Sequence, residues 1–377
     1  MIYLDHQATA PLLPAAADAM APWLLPEGSA NPHSAHRAGR AAAAAVEAAR
    51  AQLLAALGAG AGEGRLALTG GATEALNWAL KGSWDRRPAN RTRIVTAPTE
   101  HAAVLDSLHH LARRGAELVM LPVDPLGRVD VAAAAEVIED STAIVALMHV
   151  NNEIGTVGPV DAIGHLARAA GAVMVCDAVQ GFTKLPIPLA ACDLVAMSAH
   201  KVGGPKGIGA LWMRAGIEPE PLLHGGGQEA GLRSGTVSPA LAAGFGAAAR
   251  FSADHAAATR AHLAALHDHA RPAFGAEWIL NGPPAGADRW PGNLNLRLPG
   301  LDAAALVSGL RDLAFSVGSA CASGSGRPSH VLRAIGLSDA EARASIRLGF
   351  GPGTTVDEVD SAVSRIRDAA RAQGLAA

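Results

Sequence analysis

Short apolar runs alternate with alanine-rich segments along this chain, and that alternation restricts the fold more than any other feature. The runs occupy 65–70, 93–98, 117–122, 142–150, 173–178, 194–199 and 208–213. Between most of them lie segments with helical spacing, at 38–57, 73–81, 102–114, 131–139 and 160–170. Alternating strand and helix predicts an α/β fold whose large domain holds a mostly parallel, seven-stranded sheet. The runs are apolar throughout rather than at every second residue, as strands covered on both faces are. Residues 200–207 alone separate the last two runs, too few for a crossover helix, so the final strand is expected to run antiparallel.

Arginine and glutamate punctuate the alanine-rich segments, and alanine has the highest helix propensity, which marks packed helices rather than low-complexity linkers. After Phe245 the pattern shifts to a long helical stretch over 247–269, then strand-like runs at 278–280 and 294–298 and helices near 303–310 and 356–372. Residues 14–250 are assigned to the large domain, and 1–13 with 251–377 to a smaller α+β domain. A chain of 377 residues exceeds one ordinary core, in keeping with that division.

Charge and cysteine usage exclude several function classes. The formal net charge is −3 with no basic stripe, which argues against nucleic acid or an anionic membrane as partner. The N-terminus has no cationic stretch or apolar run of the signal-peptide kind, and no apolar stretch is long enough to span a bilayer without a charge, so the expected location is cytoplasmic. The three cysteines, Cys176, Cys192 and Cys321, form no CxxC, which speaks against a disulfide framework and against a zinc site; no metal is expected. Lysine is confined to Lys81, Lys184, Lys201 and Lys206, which narrows the search for a chemically active amine.

The ends of the apolar runs carry the chemistry. Ser198-Ala199-His200-Lys201 closes one of them, and a lysine at the carboxyl edge of an α/β sheet sits where such sheets bind ligands. Partial burial there lowers an amine's pKa and prepares it for Schiff-base formation, although a lysine beside glycines also reads as a plain turn. Thr69-Gly70-Gly71-Ala72-Thr73-Glu74 is a glycine turn opening a helix, an anion site if occupied and a bare helix N-terminus if not. Asp177, in Cys176-Asp177-Ala178-Val179-Gln180, is a strand-end carboxylate that needs a partner such as a pyridinium N–H, or else caps the next helix. His101 and Asn152 follow two further runs. One phosphorylated aromatic cofactor would use Thr73, His101, Asn152, Asp177, Gln180, Ser198 and Lys201 together.

Two residues lie outside this set. Cys321 sits in Gly318-Ser319-Ala320-Cys321-Ala322-Ser323-Gly324-Ser325-Gly326, a composition that predicts a loop able to carry a reactive thiol. Arg347, in Ser345-Ile346-Arg347-Leu348-Gly349, could hold a substrate carboxylate bidentately or serve as a structural ion pair.

Taken together these motifs resemble the NifS/IscS-type cysteine desulfurases, class V aminotransferase relatives of pyridoxal-phosphate (PLP) fold type I. The likeness runs from Tyr3-Leu4-Asp5-His6-Gln7-Ala8-Thr9-Ala10-Pro11 through Gly71–Glu74, Thr99-Glu100-His101, His149–Gly155, Ser198–Gly209, His224–Glu229 and Arg233–Thr236 to Gly318–Cys321 and Pro328–Arg333. The resemblance implies that Lys201 is the Schiff-base lysine and moves the Cα proton, that His101 stacks on the ring, that Asp177 pairs with the pyridine nitrogen, and that Gln180 bonds the phenolic oxygen. It implies a phosphate held by Thr73, Ser198 and His200, with Ala72 also binding the cofactor and Thr236 reaching in from the neighbouring subunit of a homodimer with shared active sites. Asn31, Asn152 and Arg347 would bind the carboxylate of L-cysteine, and the Cys321 thiolate would take the sulfur as a persulfide on the loop of about 318–329. A sulfur-acceptor protein, an iron–sulfur scaffold or another carrier, would receive it. The chain stops at Ala377, soon after its last helix, where scaffold-docking members carry a longer tail. Gln7 and Ala10 stand where Asn or Ser and Thr are commoner, with little effect expected on chemistry. Two other functions are weighed: a related fold-type-I enzyme such as a selenocysteine lyase or aminotransferase, and a non-catalytic sulfur carrier. The second would have lost Lys201, Asp177 or His101, and all three are present.

Overall fold

The computed structural model describes residues 1–317 and 327–376. In chain order its strands are β1 (Ile2–Tyr3), β2 (Gly64–Thr69), β3 (Arg93–Thr96), β4 (Glu117–Met120), β5 (Thr142–Met148), β6 (Val173–Asp177), β7 (Leu194–Ser198), β8 (Gly209–Arg214), β9 (Ile279–Leu280), β10 (Asn293–Arg297), β11 (Leu313–Ala314), β12 (Ser316–Val317) and β13 (Ser345–Gly349). A seven-stranded sheet has the order β2-β8-β7-β6-β5-β3-β4. All its pairings are parallel except those of β8, which runs antiparallel to both β2 and β7. The short 200–207 link leaves no other direction for β8.

Helices cover both faces of this sheet, so its inner strand β5 is buried at every position. Val145 and Leu147 face one core, with Val46, Leu53 and Phe245 from helices Arg37–Leu57 and Pro239–Asp254. Ile144 and Ala146 face the other, with Leu76, Trp78 and Leu108 from helices Ala72–Arg86 and Ala102–Ala112. Small residues set the spacing between helices: a Cβ on Gly246 would lie 2.8 Å from the Ala49 Cα, so Arg37–Leu57 and Pro239–Asp254 meet almost backbone to backbone.

A second core belongs to the rest of the chain. The antiparallel sheet β12-β13-β10-β9 packs Leu294, Leu296, Ile346 and Leu348 against Leu263 and Leu266 of helix Ala256–Ala273 and Val359, Val363 and Ile366 of helix Val356–Ala372. The N-terminal segment joins it through β1, parallel to β11, and through a bridge from Asp5 to Gly349. The sequence predicts one helical stretch over 247–269; the structure has two helices that break at His255, whose Nδ1 lies 2.8 Å from the Phe251 carbonyl. The alanine pattern runs through that break and gives no sign of it. The first of these helices packs on the large sheet and the second on the small one. Among the described residues no helix is long and apolar enough to cross a membrane.

Candidate active site

Parallel strands place their carboxyl ends along one edge, and the residues singled out in the sequence follow from it. Asp177 ends β6, Ser198 ends β7, and Lys201 lies in the short turn Ala199–Lys201 that follows. His101 is the N-cap of helix Ala102–Ala112, its Nδ1 accepting from the Ala103 N–H at 3.1 Å. Gly70 and Gly71 follow β2 and open helix Ala72–Arg86, whose first N–H groups have no acceptor within the helix. This turn is pressed against the edge. A Cβ on Gly209 would lie 2.6 Å from both the Gly71 carbonyl carbon and the Met197 oxygen, so only glycine admits the contact.

The N-terminal segment closes the edge. Lys201 Nζ donates to the main-chain oxygens of Gln7 at 2.6 Å and Ala8 at 2.8 Å. Gln180 Nε2 donates to the same Gln7 oxygen at 2.9 Å, and Lys184 Nζ donates to Gln180 Oε1 at 3.1 Å. His200 Nδ1 lies 3.1 Å from Thr9 Oγ1. Burial, aided by Lys201, Lys206 and Lys184, pulls the His200 pKa down to about 4, so its ring is neutral at physiological pH and able to donate one N–H.

Asp177 is 6% exposed, and its Oδ1 accepts from the Val179 N–H at 3.0 Å. Burial pushes its pKa up, while the charges of His101 and Lys201 pull it down. A carboxylate so placed would gain from one more positive donor.

Arg347, on β13 and 1% exposed, reaches the same edge from the small sheet. Its Nη2 donates to Asp5 Oδ1 at 2.8 Å and Ser316 Oγ at 3.2 Å, and its Nη1 to the Asn152 carbonyl at 3.0 Å. Its Nε has no hydrogen-bond partner among the described residues. The guanidinium is therefore oriented by protein groups on one side and keeps donor capacity on the other. Beside it Glu153 accepts from the Ser329 hydroxyl, and His330 Nε2 lies 2.8 Å from the Glu100 carbonyl. The described chain on both sides of 318–326 thus ends at this site, through Ser316 and Ser329. Cys321 itself lies outside the described residues.

The structure thereby brings together Lys201, Asp177, His101, Gln180, His200, Ser198 and Arg347, with Asn152 contributing its carbonyl. Thr73 and Thr236 are exposed and make no side-chain hydrogen bond among the described residues. Asn31 is exposed, its Oδ1 accepting from His33 N at 2.9 Å. Thr236 follows Arg233, which pairs with Glu74 at 2.7 Å and so ties its loop to the helix that opens at Gly71. Cys176 and Cys192 are fully buried, in keeping with inert core thiols. Three participants escaped the sequence reading: Asp5, the Gln7 carbonyl, and Lys184, whose pKa burial and the neighbouring Lys201 charge lower to about 7. A cavity of about 390 Å³ lies against this corner, lined by Lys184, Lys201, Gln7, Trp290 and Phe251. A larger cleft of about 600 Å³, lined by Leu57, Arg168 and Arg214, shares Thr183 with this cavity and holds none of the strand-end groups above.

The arrangement fits a phosphorylated pyridine aldehyde. A lysine amine, a buried carboxylate at a neighbouring strand end, and a glycine turn with open helix N–H groups converge from adjacent strands. No group of His, Cys, Asp and Glu suited to a metal ion occurs among the described residues.

Comparison with known proteins agrees with this reading. The aminotransferase class-V family model matches residues 2–361. A cysteine desulfurase IscS of Rickettsia bellii is 40% identical over 373 residues, covering 97% of this chain and 90% of its own. Among solved structures, a NifS-like protein superposes with a TM-score of 0.89 at 29% identity, covering 98% of both chains. SspA, solved in complex with cysteine, superposes with a TM-score of 0.82 at 33% identity, covering 94% of this chain and 100% of its own.

Proposed function

Because this chain belongs to the aminotransferase class-V family, we propose that it is a pyridoxal-phosphate-dependent cysteine desulfurase. The net reaction is balanced by the enzyme's own thiol: L-cysteine and the Cys321 thiol give L-alanine and a persulfide on Cys321. When bound, pyridoxal phosphate supplies the electron sink that lets the substrate Cα lose its proton.

The chain's own residues do the rest. Lys201 would hold the cofactor and move the Cα proton at its Nζ, and the Gln7 and Ala8 carbonyls keep that nitrogen at the strand edge. With the cofactor bound, Asp177 would keep the ring nitrogen protonated, Gln180 would donate to the phenolic oxygen, and His101 would pack on the ring. Thr73, Ser198 and His200 would hold the phosphate beside Ala72, with Thr236 supplied by a second copy of the chain in a homodimer. Arg347, Asn31 and Asn152 orient the substrate carboxylate. The domain division at 14–250, with 1–13 and 251–377 forming the smaller unit, puts this site where the two cores meet. A cytoplasmic location and a sulfur-acceptor protein, an iron–sulfur scaffold or another carrier, complete the proposal.

The observation that carries it is the convergence of Lys201, buried Asp177 and the Gly70-Gly71 helix opening on one strand edge. The test is alanine formation from L-cysteine with a thiol reductant, wild type beside Cys321→Ala. Alanine from the wild type alone supports desulfuration through Cys321. Alanine from both would remove Cys321 from the mechanism, and alanine from neither would favour another amino-acid substrate.

A further inference from the structure

The corner behind Gln180 contains a second, half-buried lysine that the assigned roles leave unused. Lys184 Nζ donates to Gln180 Oε1 at 3.1 Å and lies 5.8 Å from the Trp290 ring centroid. Gln180 Nε2 donates at 2.9 Å to the Gln7 carbonyl, which also accepts from Lys201 Nζ at 2.6 Å. One amide and one carbonyl therefore connect two lysines. In its protonated form, held below about pH 7, Lys184 can only donate, so it meets the oxygen of the Gln180 amide and not its NH2 group. Turning the amide over would set NH2 against Lys184 and oxygen against the Gln7 oxygen, losing both bonds.

The backbone supports a built arrangement. Thr183, directly before Lys184, has φ 61°, a left-handed conformation that a β-branched residue seldom adopts. With the chain turned in this way, Lys184 Nζ reaches Gln180 Oε1. The titratable groups facing this corner are Lys201 and His200 from the turn after β7, Tyr3 and His6 from the N-terminal segment, His255 from the break between the two helices, and Glu358 from the last helix.

We propose that Lys184 is a positioning residue: by donating to Gln180 Oε1 it fixes the amide with its NH2 group toward the Gln7 carbonyl and the cofactor's phenolic oxygen. This rests on the cofactor assignment above. The amide's second N–H is then left for that oxygen, and a donor there favours its deprotonated form.

The test is a pH titration of the visible absorbance of the PLP-loaded protein in wild type, Lys184→Met, Lys184→Gln, Gln180→Ala and the Lys184→Met/Gln180→Ala double variant. Methionine matches the lysine stem and removes the donor; glutamine restores a neutral donor. The apparent pKa of the chromophore should rise by about one unit in Lys184→Met, the scale of one lost hydrogen bond to a charged group. It should return near the wild-type value in Lys184→Gln, and Lys184→Met should add nothing once Gln180 is alanine. A Lys184→Met titration like the wild type's would overturn the proposal. So would equal shifts in Lys184→Met and Lys184→Gln, or additive shifts in the double variant, since each would mean that Lys184 acts without orienting Gln180. A wild-type protein that gains no visible absorbance with PLP would instead overturn the cofactor assignment.

Discussion

Replacing Lys184 by methionine should stabilise the cofactor-free protein, and by an amount that depends on pH. The folded-state pKa of Lys184 is lowered from 10.5 to about 7, chiefly by burial and then by the charge of Lys201. Between those values the unfolded chain holds a proton that the folded chain does not, so this group makes stability rise with pH. Below about pH 7 both states are protonated and the full cost of burying the charge is present; above about pH 10.5 it is gone. A shift of this size corresponds to a ceiling of about 5 kcal/mol. The lysine stem lines the cavity and is partly open, so water relieves some of that, and we expect roughly 2 kcal/mol. Urea unfolding of the apoprotein at about pH 6, 7.5 and 9 reads the difference as a shift in midpoint at constant slope. Lys184→Met should exceed wild type most at the lowest pH, with the gap closing as pH rises. A gap that stays constant across this range would mean that the folded protein keeps Lys184 protonated throughout, and the reasoning would fail.

Three further outcomes follow from the same geometry. Lys201→Ala should abolish the visible absorbance of the PLP-loaded protein; a retained covalent chromophore would place the reactive amine elsewhere. Arg347→Lys cannot reach Asp5, Ser316 and the Asn152 carbonyl together, so the KM for cysteine should rise on the order of 10-fold or more while cofactor absorbance persists. Gly349→Ala would put its Cβ 1.8 Å from Gln7 Oε1 and 2.8 Å from the His6 nitrogen. It should cost about 1–3 kcal/mol in thermal or urea unfolding and, by shifting the Gln7 carbonyl, weaken PLP retention.

Whether a residue could be assigned from the sequence depended on whether its surroundings are local. Asp177, Ser198 and Lys201 each end or directly follow an apolar run, and a parallel sheet lines up such ends whatever joins them, so spacing alone pointed to one shared edge. The antiparallel β8 was legible for the same reason, because a link too short for a helix has one outcome. The break at His255 was not, since alanine-rich text fits either one helix or two and the choice lies with which core each half packs on. The Asp5–Arg347 pair spans nearly the whole chain and is made only when the N-terminal segment bridges to Gly349. Lys184 is the instructive case. In Thr183-Lys184-Leu185-Pro186 it reads as an ordinary exposed turn. What turns its amine inward is a left-handed Thr183 together with the Gln180 amide, itself held by the Gln7 carbonyl, and the Trp290 ring, none of which leaves a periodic trace. A lysine count of four nevertheless held the clue: in a chain that gives almost all its positive charge to arginine, each lysine retained is a candidate for a task that needs a compact, titratable donor.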